Sequence, residues 1–266
     1  MGVNTSYNKV IYTKKDGVAT IVLNNPKRYN ALELDLRREL KTALEDAAGD
    51  SSVRVVVLRG AGGNFSAGAD VKAFLEWKPE DAVRVGNELG TSMVLSRIIR
   101  NMQKPVVAVV EGYCLGGGFE LAMACDLILA SEDAVFGQPE INLGLIPGGG
   151  GTQRLPRLVG EKKAKELIMT GERVSAHELE RMGVVCAVAA RDKVEESLKN
   201  LVDKLLSKPP LALAAAKEAV NLSLETDLTA GLRAELTLFA SLFSTEDLKE
   251  GVKAFLEKRR PVWSGR

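Results

Sequence analysis

The stretch Val106-Val107-Ala108-Val109-Val110-Glu111-Gly112-Tyr113-Cys114-Leu115-Gly116-Gly117-Gly118-Phe119-Glu120 decides the architecture. An apolar β-branched run reads as a buried strand, the glycines turn the chain, and residues 119–125 form a short helix. A further strand follows at residues 127–130. Upstream, residues 81–102 read as helix, stop before Pro105, and follow another apolar strand at residues 53–58. Before that, residues 32–48 place Leu36, Leu40, Ala43, Leu44 and Ala47 on one helical stripe, with Gly49 as a C-cap. Residues 8–14 and 18–24 alternate as strands around Asp16-Gly17, a hairpin signal. Strands alternating with helices predict an α/β core with mainly parallel pairing. From Glu161 onward the pattern turns helical, at residues 161–169, 175–182, 193–207, 211–225, 231–243 and 247–259, with Lys208-Pro209-Pro210 as punctuation. The economical division is an α/β core over residues 1–200 and a helical region over residues 201–266.

Composition narrows the chemistry. The chain has 266 residues, 36 Lys and Arg against 35 Asp and Glu, and a net charge of +1. That balance gives no bulk field for nucleic acid or an anionic membrane. The longest uninterrupted apolar run, residues 184–190, is far short of the ~20 residues of a membrane span. No apolar signal-peptide core follows Met1, so a cytoplasmic location is the default expectation. Met1-Gly2-Val3-Asn4-Thr5-Ser6 fits the N-myristoylation pattern, but so short a pattern arises cheaply by chance. Three cysteines without a CxxC argue against a disulfide framework or zinc site. With His177 as the only histidine, a multi-His metal site is excluded within one chain, and if the chain is an acid–base enzyme its proton transfer falls to carboxylates.

Three segments combine strand ends, glycines and polar residues: 64–72, 111–120 and 136–147. The first two fall at the C-terminal ends of predicted strands, where open α/β sheets bind ligands. N–H groups entering the helix after Gly118 lack intrahelical partners, and two facing turns of this kind can stabilise an oxyanion. Glycine clusters also serve plain turn geometry and close packing. Phosphate loops are not matched: Gly148–Gly151 lacks a following Lys-Ser/Thr, and residues 60–65 lack the third glycine of a dinucleotide fingerprint. Glu140, after Pro139 and among apolar side chains, and Glu120, beside Phe119 and Leu121, are the candidate acid and base. Either alone would read as a helix-terminus charge; together beside the two turns they read as a site. His177 sits in the Ser175-x-x-Glu178 capping box and has no nucleophile motif beside it. Gly-x-Ser-x-Gly is absent. Cys114 reads as a small buried apolar residue.

These motifs, in order along nearly the whole chain, resemble the enoyl-CoA hydratase/isomerase (crotonase) family. The resemblance is carried by Asn25-Pro26…Asn30-Ala31-Leu32, Phe65-Ser66-Ala67-Gly68-Ala69-Asp70, Gly112–Gly118, Glu120-Leu121-Ala122 and Cys125-Asp126. It continues through Phe136-Gly137-Gln138-Pro139-Glu140, Pro147–Leu155 and Phe255–Pro261. It implies a crotonase-like spiral of ββα repeats with a C-terminal helical trimerisation region, assembled as a homotrimer or dimer of trimers. It implies an acyl-CoA thioester substrate whose thioester oxygen is held by the N–H groups of Ala69 and Gly117. Ala67, Gly68, Ala69, Asp70, Val71 and Lys72 would border the adenine and pantetheine of CoA, with Arg28 near the nucleotide end. Lys258 and Arg259 would approach CoA phosphates, including those bound by a neighbouring subunit. A glutamate at both matching positions marks hydratases, with Glu120 orienting and activating water and Glu140 giving the proton to C2. No metal or redox cofactor is expected, coenzyme A being part of the substrate. The alternatives are a Δ3-Δ2 enoyl-CoA isomerase and a non-enzymatic RNA-binding relative, the latter disfavoured by near-neutral charge. Two departures stand out. Glu111 adds a carboxylate before the glycine turn, and Phe119 is a position for altering pocket volume. Pocket depth depends on residues 74–95.

Overall fold

In the computed structural model, which describes residues 7–266, Asp16 and Gly17 both take positive φ, 50° and 80°. They close an antiparallel hairpin between β1 (Val10–Lys15) and β2 (Val18–Leu23). The Gly2 lipidation pattern lies outside the described residues. Helix α1 (Leu34–Gly49) buries the expected stripe of Leu36, Leu40, Ala43, Leu44 and Ala47. It runs one residue further than expected, so Asp50 rather than Gly49 is the C-cap. Strand β3 (Val55–Gly60) then pairs in parallel with β2.

The long helix expected at residues 81–102 is interrupted. Helix α2 (Pro79–Leu89) stops at Gly90, whose ψ of 143° is extended. A π-helical turn at Thr91–Leu95 leads into α3 (Ser96–Asn101). Next come β4 (Val106–Val110), β5 (Tyr113–Leu115) and α4 (Gly117–Ala122). Helix α4 starts earlier and ends sooner than residues 119–125, because the chain tightens into i→i+3 bonds at Ala124 and Cys125. Strands β6 (Leu127–Ser131) and β7 (Val135–Gly137) follow, then a 3-10 turn at Pro139–Leu143, α5 (Gly151–Val159) and α6 (Glu161–Thr170).

Residues beyond Glu161 are not all helical. They include β8 (Arg173–Ser175) before α7 (Ala176–Arg181), and β9 (Ala187–Ala189) before α8 (Val194–Leu206). Three residues are too few to display a period, which is why neither strand was visible in the pattern. Strand β9 lies inside the longest apolar run and completes the main sheet beside β6. Helices α9 (Pro210–Leu222), α10 (Leu228–Ser241) and α11 (Glu246–Leu256) end the chain.

The main sheet has the order β1-β2-β3-β4-β6-β9, parallel apart from the first hairpin. Its central strands alternate between two buried clusters. Val56, Leu58, Val106, Ala108 and Val110 face one, and Val55, Val57, Val107 and Val109 face the other with Val194 and Val202 of α8. Burial on both faces explains their unbroken apolar runs. A second sheet, β5-β7-β8, is extended by bridges between Ser66 and Cys114 and between Leu32 and Ala69. Each repeat therefore sends a strand into the main sheet, a short extended segment into the second, and then a helix. Helix α9 is tied to this body by Lys217, whose Nζ meets Asp126 Oδ2 at 2.7 Å and the carbonyls of Ile99 and Lys104 at 2.7 and 3.0 Å. Among the described residues no helix is long and apolar enough to cross a membrane.

Candidate active site

The second sheet brings the two glycine-containing turns together. Phe65 N–H donates to Glu111 O, Ser66 N–H to Tyr113 O, and Leu115 N–H to Ser66 O, each at 2.9 Å. Ser66 is buried and its Oγ donates to Asn30 O at 2.8 Å, fixing the start of the first turn. Gly68 then passes the second turn with φ 99°, and a Cβ there would sit 2.8 Å from Leu115 O and 3.2 Å from Gly117 N. Only glycine satisfies both the conformation and the approach. Ala69 N consequently lies 3.6 Å from where a Gly117 Cβ would be. Gly117 is the first residue of α4, so its N–H has no intrahelical acceptor. Among the described residues, neither the Ala69 nor the Gly117 N–H has a hydrogen-bond partner. Two neighbouring free donors can bind one oxygen that gains negative charge.

Glu120 lies in the first turn of α4 and is 3% exposed. Its Oε1 accepts the N–H groups of Gly149 at 2.6 Å and Gly151 at 2.8 Å. A Cβ at Gly149 would collide with Oε2 of the same carboxylate, so the loop can close on it only as glycine. Burial pushes the Glu120 pKa up, while the two N–H groups, Arg154 and Arg37 pull it down. The Gly148–Gly151 run fails as a phosphate loop because its anion is this side chain. Its N–H groups and the α5 N-terminus act on a carboxylate by the same electrostatics.

Glu140 follows Pro139 in the 3-10 turn and is half-buried. Burial, with a further contribution from the charge of Glu120, pushes its pKa up to about 7. Its Oε2 is buried without a hydrogen-bond partner. Among the described residues, no cation acts on Glu140 as Arg154 and Arg37 act on Glu120. Burial thus raises both carboxyls, but only Glu120 has N–H groups and arginines that offset the rise, a difference along which acid and base roles can divide.

Both glutamates line one cavity of about 470 Å³, together with Ala67, Gly68, Ala69, Gly116 and Gly117. Its apolar wall comes from Phe74, Trp77, Val85, Leu143 and Ile146, which places part of residues 74–95 around the space. Arg37 also lines it, and its Nε donates to Leu32 O at 2.8 Å. The α1 pattern showed Arg37 only as a polar residue, and nothing near it in the chain announces the cavity. Val71 lines the same space, whereas Arg28 and Asp70 line an adjoining groove of about 360 Å³ that shares Ala69, Phe74 and Trp77. There Arg28 meets Glu33 at 2.6 Å and Asp70 at 3.1 Å. Lys72, Lys258 and Arg259 line neither space. Arg259 is engaged with Glu250 at 2.6 and 2.8 Å and with Glu257 at 2.7 Å.

The remaining candidates resolve into structural roles. Ser175 and Glu178 form the capping box, leaving His177 exposed on α7. Cys114 is buried. Phe119 does not shape the cavity, contrary to expectation: it is fully buried and packs edge-on against Phe136, with ring centroids 5.2 Å apart. Helical geometry turns it away from the face that carries Glu120. Glu111 pairs with Arg59 at 3.0 Å. No cluster of potential metal ligands occurs among the described residues.

A family model described as enoyl-CoA hydratase/isomerase matches residues 13–266. A probable enoyl-CoA hydratase of Rhizobium meliloti (strain 1021) is 46% identical, over 98% of this chain and 100% of its own length. The crotonyl-CoA hydratase of Syntrophomonas wolfei is 41% identical, over 96% of this chain and 97% of its own. The crystal structure of enoyl-CoA hydratase subunit I from Geobacillus kaustophilus HTA426 superposes with a TM-score of 0.92 at 40% identity, covering 98% of this chain and 100% of that one. The enoyl-CoA hydratase structure from Bacillus anthracis gives 0.91 at 38% identity, covering 97% and 100%. The two sheets and trailing helices are therefore the crotonase fold, and the chain belongs to the enoyl-CoA hydratase/isomerase family.

Proposed function

We propose that this protein is an enoyl-CoA hydratase, adding water reversibly across the C2=C3 bond of a 2-enoyl-CoA to give a 3-hydroxyacyl-CoA. The observation that carries this reading is the pair Glu120 and Glu140 facing one cavity, only Glu120 being supported by N–H groups and arginines, beside two unpartnered N–H groups. Hydratase also appears in the names of the relatives quoted above.

Hydration needs a water oxygen at C3, a proton at C2 and stabilisation of negative charge on the thioester oxygen between those events. The Ala69 and Gly117 N–H groups hold that oxygen; one such donor is typically worth ~10²–10³ in rate. Glu120 Oε1 is occupied by Gly149 and Gly151, which leaves Oε2 to orient the water and take its proton. Glu140 gives its proton to C2. The pair holds one proton before and after, and only its owner changes, so dehydration runs the same steps backwards. No metal or redox step enters.

Along the substrate, Ala67, Gly68, Ala69, Asp70, Val71 and Lys72 border the pantetheine and adenine, with Arg28 at the nucleotide end. The adjoining groove with its Arg28 supports this direction. Lys258 and Arg259 serve CoA phosphates of the same or a neighbouring subunit. Residues 201–266 form the oligomerisation region of a homotrimer or dimer of trimers. The exposed side chains of Leu228, Leu232, Leu236 and Phe239, spaced three to four apart on α10, support that role.

The test is loss of the enoyl-thioester absorbance of crotonyl-CoA, with the product identified by mass. Steady decay and gain of one water are expected. No decay with short- or medium-chain substrates refutes the reading. A 3-enoyl-CoA converted to its 2-enoyl isomer, without hydration of either, would establish the isomerase instead.

A further inference from the structure

Arg154 on α5 has a role that the two glutamates and the N–H pair do not account for. Its Nη1 donates to Gly149 O at 3.0 Å, and its guanidinium fills the space against Gly150, where a Cβ would collide with it. Gly149 is also the residue whose N–H reaches Glu120 at 2.6 Å, with the Gly151 N–H following at 2.8 Å. Arginine and glutamate thus grip one residue through its carbonyl and its N–H. The side chain reaches back from the first turns of α5 across the loop that precedes it. It is half-buried, so ordering it carries a desolvation cost that a purely solvated arginine avoids.

We propose that Arg154 is a positioning residue for the hydration step: by holding the Gly149 carbonyl it aims the Gly149 and Gly151 N–H groups at Glu120 and leaves Oε2 facing the water. This rests on the hydratase reading. The charged and titratable groups around the pair come from several elements. Arg37 of α1 acts on Glu120, Glu120 acts on Glu140 of the 3-10 turn, and Arg100 of α3 and Cys125 after α4 act on Arg154. Arg154 also offsets part of the rise that burial gives the Glu120 pKa, so it supports both the pose and the charge of that side chain.

The experiment measures crotonyl-CoA hydration by the full-length protein, Arg154→Gln and Arg154→Lys over about pH 5–9. A displaced catalytic group can cost roughly 100-fold, and a fall of that order in kcat is expected for Arg154→Gln, with KM little changed. The acid limb of its kcat/KM profile moves to higher pH, because Glu120 is protonated more readily once the cation is gone. Arg154→Lys keeps the charge and one donor, recovers part of kcat, and keeps the acid limb near that of the unmodified protein. Unmodified kcat and acid limb in Arg154→Gln overturn the proposal, as do Gln and Lys variants equally impaired with an unmoved limb. Should Arg154→Gln not fold, Arg154→Lys decides: reduced kcat at retained KM supports the proposal, and undiminished kcat overturns it. An unmodified protein that hydrates no enoyl-CoA overturns the hydratase reading and this proposal with it. An active protein with unaffected variants overturns this proposal alone.

Discussion

Glu120 and Glu140 are the same side chain in two environments, and the difference is made by neighbours far away in the chain. Glu120 is held by N–H groups 29 and 31 residues downstream. Glu140 has a buried oxygen with no partner. The apolar flanks of each glutamate, and the glycine turns beside them, were readable locally. The Gly148–Gly151 cradle and Arg37 were not, because a linear sequence displays neighbours along the chain and not those across the cavity. Glu120→Gln and Glu140→Gln are each expected to lower kcat by roughly 10²–10⁴-fold, the usual worth of a general acid or base, while acyl-CoA still binds. Crotonyl-CoA kinetics with each variant checks this, and near-normal turnover in either removes that residue's assigned role.

The pH dependence follows from one proton shared by the pair. Hydration takes up no net proton, so kcat/KM must follow the same profile in both directions. The active form carries one proton, and the form without any accumulates as Glu140 ionises. With its pKa pushed up to about 7, kcat/KM falls above that pH for both crotonyl-CoA and 3-hydroxybutyryl-CoA. Residual activity of Glu140→Gln lacks this limb. Rates that stay flat well above neutral pH, or limbs that differ between directions, contradict the shared proton.

At the scale of elements, long periodic segments were legible and short ones were not. The α1 stripe and strand β4 match their predicted residues, since five or more apolar positions in phase leave little ambiguity. Strands β5, β7, β8 and β9 have three residues each and are strands only because a neighbouring strand supplies partners. The break falls at Gly90, the residue least costly to take out of a helix, although residues on both sides suit one. Lys217 shows how one side chain attaches an element. It is 9% exposed, and removing it from Asp126 leaves a carboxylate that burial already pushes toward protonation. Lys217→Met is expected to destabilise the protein by about 3 kcal/mol, as removal of one partner from a buried pair does. Denaturant titration checks this; an unchanged midpoint would show that the other contacts of α9, including those between Asn221 and Arg100, hold it without Lys217.

For the whole molecule, a net charge of +1 means that attraction to CoA phosphates must be local. Arg28, in the groove beside the cavity and shared there with Glu33 and Asp70, is the local cation proposed for that role. The apolar residues left exposed on α10 belong to the same scale. Leu232 and Leu236 are 53% and 66% exposed. If the proposed trimer or dimer of trimers forms, changing both to aspartate is expected to shift it toward monomer in sedimentation velocity. A protein that is already monomeric without the changes contradicts the assembly proposed for this region.

The most direct measurement of the central claim is turnover of crotonyl-CoA in heavy-oxygen water, with the products identified by mass spectrometry. Intact 3-hydroxybutyryl-CoA carrying solvent oxygen on C3 is expected, formed far more slowly by Glu120→Gln and Glu140→Gln. Unchanged crotonyl-CoA, a shifted double bond without added oxygen, or free CoA from a cleaved thioester would contradict the claim.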